Sequence, residues 1–202
     1  MIIIIDYGLG NLGSISKALD RIGYENRISR NLKNINPGDK FILPGVGHFE
    51  KGIKNLSKFN LINKLNDFVL IKKHSILGIC LGMQLMTNFS EEGNCNGLGW
   101  VDASVKRFVF NSTNFKLPHM GWNSLNIKKN DSLFLRFDLD ERFYFVHSYY
   151  VDCNEKNIIS STSNYYLEFC SSFSKENIHG VQFHPEKSHD SGLRLLRNFL
   201  ET

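Results

Sequence analysis

Short apolar strands alternate with helical segments through about the first ninety residues, and this alternation constrains the fold more than any other feature. Residues 2–6 predict a buried strand of a parallel sheet, because the isoleucines at 2–5 make both of its faces apolar. The next apolar residues recur at helical spacing as far as Gly23: Ile15, Ala18, Leu19 and Ile22. Three further segments continue the alternation, namely strands at 40–43 and 75–79 and a helix at 61–71. This order predicts a parallel sheet with crossover helices.

Beyond Leu98, strand patterns follow one another without intervening helices. Four segments predict antiparallel strands added to the far side of the sheet: 101–105, 143–146, 158–162 and 167–173. A core strand at 178–183 precedes a closing helix at 192–200, with these residues inward: Leu193, Leu196, Phe199 and Leu200. We therefore predict one α/β domain over residues 1–202. Its central sheet is mostly parallel and flanked by helices, and the second half adds antiparallel strands.

The composition is that of a folded globular protein. Hydrophobic residues make up 42% of the chain and charged residues 22%, which excludes disordered, collagen-like and coiled-coil chains. The longest apolar run, residues 2–5, is far shorter than the roughly 20 residues of a membrane span. Asp6 follows the run and no basic stretch precedes it, so it does not resemble a secretory signal. We expect a soluble, cytoplasmic protein with no membrane partner.

Charge and cysteine spacing predict neither a nucleic-acid surface nor a metal site. The net charge is +4, and the basic residues are scattered rather than clustered as in a nucleic-acid-binding protein. The four cysteines, Cys80, Cys95, Cys153 and Cys170, include no C-x-x-C pair, so no zinc site is predicted. Without a secretory signal, a disulfide framework is not expected either. Each cysteine is therefore a small buried hydrophobic residue or a nucleophile.

Gly8, Gly10 and Gly13 match the glycine spacing of a dinucleotide-binding turn between a strand and a helix. That site also needs an acidic residue at the end of the second strand to hold a ribose hydroxyl. Here the second strand ends in Ser29-Arg30-Asn31. The glycines therefore indicate a tight turn rather than a dinucleotide site.

Cys80 lies between two glycines in Gly78-Ile79-Cys80-Leu81-Gly82, directly after a predicted strand. This is the pattern of a nucleophile elbow with sulfur in place of oxygen. At a helix N-terminus the free N–H groups stabilise a thiolate, and the N–H of Leu81 points to where an oxyanion would form. Gln84 follows one helical turn later on the same face. Taken alone, the motif also fits a buried structural cysteine.

His184 and Glu186 end the predicted core strand, in Gly180-Val181-Gln182-Phe183-His184-Pro185-Glu186. Pro185 holds His184 in extended backbone, where residues i and i+2 point the same way. A carboxylate beside an imidazole fixes its tautomer and stabilises its cation, as in a catalytic triad. Because the carboxyl ends of parallel strands share one edge of the sheet, His184 and Cys80 are expected to meet there. A third turn at this edge, Pro44-Gly45-Val46-Gly47, offers a second oxyanion donor, although alone it is simply a turn.

Together these motifs resemble the class I (triad) glutamine amidotransferases over essentially the whole chain. Within that family, the chain is most similar to the glutaminase subunits of imidazole glycerol phosphate synthases. Further segments carry this closer resemblance: Asp6-Tyr7-Gly8, Ser90-Glu91-Glu92-Gly93, Pro118-His119-Met120-Gly121-Trp122-Asn123, Phe145-Val146-His147-Ser148-Tyr149 and Lys187-Ser188.

The resemblance implies hydrolysis of L-glutamine through a γ-glutamyl thioester on Cys80, without cofactor or metal. His184 is then the general base and acid, and Glu186 orients it. The backbone N–H groups of Leu81 and of Val46 or Gly47 would form the oxyanion hole. Four residues would hold the substrate: Gln84, Glu92, Ser148 and Tyr149. For Glu92 a solvated acid is the alternative, since Glu91 is adjacent.

The resemblance also implies a heterodimer with a (β/α)₈-barrel cyclase subunit that receives ammonia in histidine biosynthesis. The residues implied to face that partner are Leu9, Asn11, His119, Trp122 and Lys187. Some relatives carry proline where this chain has Leu9, so a gating contact made by that proline does not carry over.

Three alternatives remain open on the sequence. A paralogous glutaminase would supply ammonia to another synthetase, such as one that amidinates a bacterial surface sugar. A regulatory subunit would bind glutamine or a partner without hydrolysis, although the intact Cys80, His184 and Glu186 argue against it. A cysteine peptidase would share the elbow, but Gln84 and the segment 118–123 disfavour it.

Overall fold

The computed structural model describes residues 1–111, 115–138 and 141–202. The helices are α1 (Leu12–Arg21), α2 (Phe49–Lys58), α3 (Ile62–Asn66, continued by a π-helical turn over Asp67–Ile71), α4 (Leu81–Leu85) and α5 (His189–Glu201). The first seven strands are β1 (Ile2–Ile5), β2 (Asn26–Ser29), β3 (Lys40–Leu43), β4 (Ile76–Ile79), β5 (Thr87–Ser90), β6 (Cys95–Asn96) and β7 (Val101–Arg107). The others are β8 (His119–Ser124), β9 (Asn126–Ile127), β10 (Arg142–His147), β11 (Tyr149–Cys153), β12 (Ile159–Tyr165), β13 (Leu167–Lys175) and β14 (Ile178–Val181).

Five parallel strands form the part of the sheet that positions the site. Their order is β2-β1-β3-β4-β14, so the strand before Cys80 pairs with the strand before His184. Every residue of β1, β4 and β14 is buried, because helices and loops cover both faces of the sheet. The predicted α/β fold and its parallel first half are confirmed.

The second half extends this sheet with antiparallel strands. β13 pairs with β14, β11 with β13 and β7 with β11, all antiparallel, while β12 pairs with β13 off this path. The expectation that the segment 143–146 joins the main sheet is wrong, because β10 pairs with β8 in a separate two-stranded sheet. Phe143 of β10 instead packs against Phe183, with ring centroids 4.3 Å apart. The two-stranded sheet therefore covers the end of β14.

Two helices differ from the sequence-based expectation. The sequence pattern does not predict α2, which follows the Pro44–Gly47 turn. α5 begins at His189 rather than at residue 192, and its fully buried residues include Leu195, whereas Leu193 and Leu200 are only partly buried. Among the residues that the structure describes, no helix is both long and apolar enough to cross a membrane.

We expect the free energy of unfolding to decrease as the pH is lowered from 6.5 towards 4. Burial lowers the pKa of His119 to about 4, of His147 to about 3 and of His179 to about 4. Over this range the three histidines bind protons in the unfolded chain but not in the folded chain. Their contribution to the free energy of unfolding is therefore present above pH 6.5 and is lost below it. His179→Gln should reduce the slope by up to about 1.4 kcal/mol per pH unit. Urea unfolding at several pH values in this range measures the slope. A slope in His179→Gln equal to that of the wild type would contradict the assignment of a lowered pKa to His179.

Candidate active site

Cys80 occupies a strained turn between β4 and α4. Its backbone has φ 52° and ψ −109°. Residues other than glycine rarely adopt this conformation, which is typical of a nucleophile elbow. A Cβ at Gly78 would lie 2.7 Å from the Met83 nitrogen, and one at Gly82 would collide with the Leu43 carbonyl oxygen. Both flanking positions therefore require glycine. The N–H of Cys80 donates to the Val181 carbonyl at 2.8 Å, which fixes the elbow to β14.

His184 and Glu186 form a buried pair at the carboxyl end of β14. His184 Nδ1 lies 2.8 Å from Glu186 Oε1, and both side chains are 1% exposed. Burial alone lowers the pKa of His184, but the negative charges of Cys80 and Glu186 outweigh burial and raise that pKa to about 10. The arrangement therefore favours the imidazolium form of His184.

The two-stranded sheet holds the backbone of His184 in place. The N–H of His184 donates to the Tyr144 carbonyl at 2.9 Å, and the Ser188 hydroxyl donates to the His184 carbonyl at 2.6 Å. The N–H of Tyr144 in turn donates to that hydroxyl at 3.0 Å. Ser188 thus ties β10 to the turn that carries His184 and Glu186.

The Pro44–Gly47 turn packs directly against the elbow. A Cβ at Gly45 would lie 2.6 Å from the Gly82 nitrogen and 2.8 Å from the Tyr7 hydroxyl. That hydroxyl donates to the Pro44 carbonyl at 2.7 Å. The turn between β1 and α1 packs closely against Pro44 at Gly10. A Cβ at Gly10 would lie only 3.0 Å from the Pro44 Cβ. Gly10 therefore permits close packing beside the site, whereas a Cβ at Gly13 would meet nothing within 4 Å.

A cavity of about 250 Å³ opens in front of Cys80. It brings together the predicted nucleophile, the predicted oxyanion residues and all four predicted substrate-binding residues: Val46, Gly47, Cys80, Leu81, Gln84, Glu92, Ser148 and Tyr149. Pro118, Val146 and His147 complete the lining. His184 and Glu186 are buried behind the site and do not line this cavity. The cavity has room for a small substrate such as an amino acid.

Gln84 is 4% exposed and uses its amide nitrogen inside the protein. Nε2 donates to the Tyr149 carbonyl at 3.1 Å and to Gln182 Oε1 at 3.0 Å. Both N–H groups are therefore used, and the amide oxygen is the group left to meet a ligand. An acceptor at this position suits a positively charged group better than a carboxylate.

Glu92, rather than Glu91, belongs to the cavity. Its Oε2 accepts the N–H of Phe49 at 2.8 Å, at the start of α2, and its own N–H donates to the Ser90 hydroxyl at 3.0 Å. The side chain of Glu91 instead accepts the N–H of Arg107 at 2.7 Å on the exposed surface. The adjacent acid thus serves as an internal control for Glu92.

Sequence reasoning assigned no role to Gln182 or His147, which both contact the predicted site. Gln182 Nε2 donates to Cys80 Sγ at 3.6 Å, and His147 Nδ1 donates to the Tyr149 carbonyl at 2.7 Å. One signal was available, because Gln182 and His184 are two residues apart in extended backbone and point the same way. For His147 the only signal was that it lies within the segment 145–149, which carries the family resemblance.

His119 was expected to face a partner, and the structure corrects this prediction. It is 4% exposed, on the inner face of β8 opposite His147. Its Nδ1 lies 2.9 Å from His147 Nε2, and its ring stacks on Tyr165 at 4.1 Å between centroids. Since His147 donates through Nδ1, its Nε2 accepts the Nδ1–H of His119. His119 therefore supports the backbone beside the cavity.

The other four predicted partner residues reach the surface. Trp122, on the outer face of β8, is 43% exposed and stacks on His189 with ring centroids 4.9 Å apart. Lys187 is exposed, with its Nζ 5.7 Å from the Tyr144 ring centroid. Leu9 and Asn11 are half-buried in the turn before α1.

Comparisons with known proteins agree with this geometry. The profile of the family described as "Glutamine amidotransferase class-I" matches residues 3–202. "Imidazole glycerol phosphate synthase subunit HisH 2" of Methanococcus maripaludis is 49% identical over 201 residues, covering 100% of this chain and 99% of the relative. "Imidazole glycerol phosphate synthase subunit HisH 1" of Campylobacter jejuni is 46% identical over 200 residues, covering 98% of each chain. A solved structure titled "Crystal structure of glutamine amidotransferase" superposes with a TM-score of 0.76 at 17% identity, covering 100% of this chain and 98% of that one, and shows the shared fold.

Proposed function

This chain belongs to the class I glutamine amidotransferase family, and from that premise we propose that it is the glutaminase subunit of a cytoplasmic imidazole glycerol phosphate synthase. It hydrolyses L-glutamine to glutamate and ammonia. The observation that carries the proposal is the full-length identity of 49% and 46% to relatives named as that subunit. The cavity in front of Cys80 supports it, because it holds the nucleophile beside both predicted oxyanion donors.

The reaction proceeds through a thioester on Cys80. The thiolate attacks the carboxamide carbon of glutamine, and the resulting oxyanion is held by the N–H of Leu81 and by an N–H of Val46 or Gly47. The C–N bond then breaks while His184 donates its proton to the leaving nitrogen, which departs as ammonia. Next His184 takes a proton from water, which attacks the thioester. The C–S bond breaks, glutamate leaves and the thiolate is restored.

The polar groups around the cavity orient the amino-acid end of the substrate. The carboxylate of Glu92 and the free amide oxygen of Gln84 are both acceptors, so they suit the α-ammonium group. Ser148 and Tyr149 also line the cavity, and their backbone is assigned to the α-carboxylate. This arrangement leaves the carboxamide to point towards Cys80.

Glu92→Gln is expected to raise KM for glutamine about tenfold or more while kcat changes little, because it removes a charge that pairs with the ammonium group. Steady-state glutamate release measures both constants. Glu91→Gln is the matched control and should behave as wild type, since Glu91 lies on the exposed surface. Equal effects of the two substitutions would contradict the role of Glu92.

The proposed partner is a (β/α)₈-barrel cyclase subunit that receives ammonia through an internal tunnel. With it, the complex has lyase activity and produces imidazole glycerol phosphate and aminoimidazole carboxamide ribotide in histidine biosynthesis. Leu9, Asn11, Trp122 and Lys187 are assigned to the docking face. The Trp122 ring centroid lies 6.0 Å from the Tyr144 ring centroid and the Lys187 amine lies 5.7 Å from it, a pairing that suits an interface with both apolar and acidic groups.

The alternative is a paralogous glutaminase for another synthetase, such as one that amidinates a surface sugar. The names of the full-length relatives do not favour it. Co-purification from native lysate decides between them. Recovery of a barrel cyclase supports the proposal, and recovery of a sugar-amidinating synthetase in its place overturns it.

Docking of the barrel subunit with its acceptor is expected to increase glutamine hydrolysis by roughly 10²-fold. Gly47 has φ +111°, in a region open mainly to glycine, so the turn can flip a peptide at small cost. We propose that docking turns an N–H of this turn towards the oxyanion. Steady-state hydrolysis with and without partner and acceptor tests it. An isolated subunit as fast as the full complex would exclude this gating while leaving the triad in place.

A further inference from the structure

Gln182 is a buried amide that joins the nucleophile to the substrate-binding cavity. It is 0% exposed and lies on the segment that leads from β14 to His184. Its side chain contacts both Cys80 and Gln84, the first through Nε2 and the second through Oε1. None of the proposed reaction steps uses Gln182. Burying an amide is nevertheless costly unless its hydrogen bonds are made.

The surrounding groups fix which way this amide points. The Tyr149 carbonyl can only accept, so the Gln84 atom 3.1 Å from it must be the nitrogen. That nitrogen also lies 3.0 Å from one end of the Gln182 amide, which must therefore be the oxygen. The end of Gln182 that lies 3.6 Å from Cys80 Sγ is then its nitrogen, an obligate donor. A flipped amide would set two donors against each other.

We propose that Gln182 is a further catalytic residue of glutamine hydrolysis, which donates its Nε2–H to the Cys80 thiolate and fixes Gln84 through its Oε1. The proposal rests on the function proposed above. A donor at sulfur favours the charged form, so it increases the fraction of thiolate available for attack. The same donor stabilises the sulfur when it leaves as water breaks the thioester. The second bond keeps the oxygen of Gln84 turned towards the substrate.

The first test removes the hydrogen-bond donor and measures the reactivity of the Cys80 thiol directly, in the absence of glutamine. Cys95 is the half-buried cysteine outside the site, whereas Cys153 and Cys170 are buried, so the measurement uses chains that carry Cys95→Ser. In such a chain Gln182→Met keeps the length of the side chain and loses its polar atoms. We expect the pH profile of iodoacetamide alkylation at Cys80 to move about one unit higher, so that alkylation is about tenfold slower at any pH below the midpoint of the profile. His179→Gln, on the same β14 segment but bonded to Ser174, is the control and should leave the profile unchanged.

The second test separates the two contacts. Gln182→Glu keeps an oxygen that accepts from Gln84 but replaces the donor at sulfur with a carboxylate. It should move the alkylation profile at least as far as Gln182→Met while KM for glutamine stays within about twofold of wild type. Gln182→Met should raise KM as well.

Failure of this proposal can be distinguished from failure of the proposed glutaminase function. A shifted alkylation profile supports the donor role even in a chain that does not hydrolyse glutamine, since the reading does not depend on turnover. If both variants are folded by circular dichroism and their alkylation profiles match the control, the proposal is overturned. If Gln182→Met does not fold, Gln182→Glu decides by the same profile.

Discussion

Cys80→Ser is expected to lower glutamine hydrolysis by at least about 10³-fold. This loss is expected because a thiol forms its nucleophilic anion far more readily than a hydroxyl does. His184 stands beside Cys80 with a pKa raised to about 10 by the charges of Cys80 and Glu186. A serine hydroxyl is far harder to ionise, so no anionic nucleophile forms at this position, and Glu186 is the anion left to pair with the imidazolium. The side chain is nearly isosteric, and the strained backbone at the elbow is unchanged. Glutamate release under saturating glutamine measures the effect.

The matched control is the reaction of the partner with added ammonium salts. That reaction should proceed at the wild-type rate in a complex that contains Cys80→Ser, because the proposed partner carries the acceptor site. Glutamine turnover by the variant within tenfold of wild type would contradict the assignment of Cys80 as the nucleophile.

His184→Ala is expected to reduce kcat/KM by at least about 10³-fold, and Glu186→Gln by a smaller factor. Alanine removes both the proton donor for ammonia and the base for water. Glutamine at position 186 still offers an oxygen to Nδ1 of His184 across the 2.8 Å contact, but it removes the charge that helps to hold the imidazolium. Steady-state kinetics of the two variants at one pH, with circular dichroism to verify folding, compare them. A loss in Glu186→Gln equal to or greater than that in His184→Ala would contradict the assigned roles.

The catalytic candidates could be predicted from sequence because local rules determine their placement. The glycines around Cys80 predict a sharp turn, and the structure shows that Cβ atoms at Gly78 and Gly82 would collide with backbone. The strands that carry Cys80 and His184 could be expected to end at one edge of the sheet, and β4 and β14 are indeed adjacent and parallel. Local pattern and parallel topology were sufficient for this part of the site.

The contacts of Gln182 and His119 could not be predicted in this way. Gln182 meets Cys80 and Gln84 only after three segments distant in sequence have packed together. The inward position of His119 depends on the pairing of β8 with β10, which sets His119 and His147 on one face and Trp122 with Tyr144 on the other. The sequence pattern assigned the segment 143–146 to the main sheet and gave no strand at β8, so this alternation could not be derived.

Covalent labelling with a diazoketone analogue of L-glutamine tests the central claim most directly. The analogue resembles the substrate at its amino-acid end and alkylates a nucleophile placed at the carboxamide position. The account predicts one label per chain, located at Cys80 by peptide mass spectrometry, slowed by glutamine in a saturable manner and lost in Cys80→Ser. Labelling at another residue, or labelling of Cys80 that glutamine does not slow, would contradict the claim that Cys80 attacks glutamine bound in this cavity.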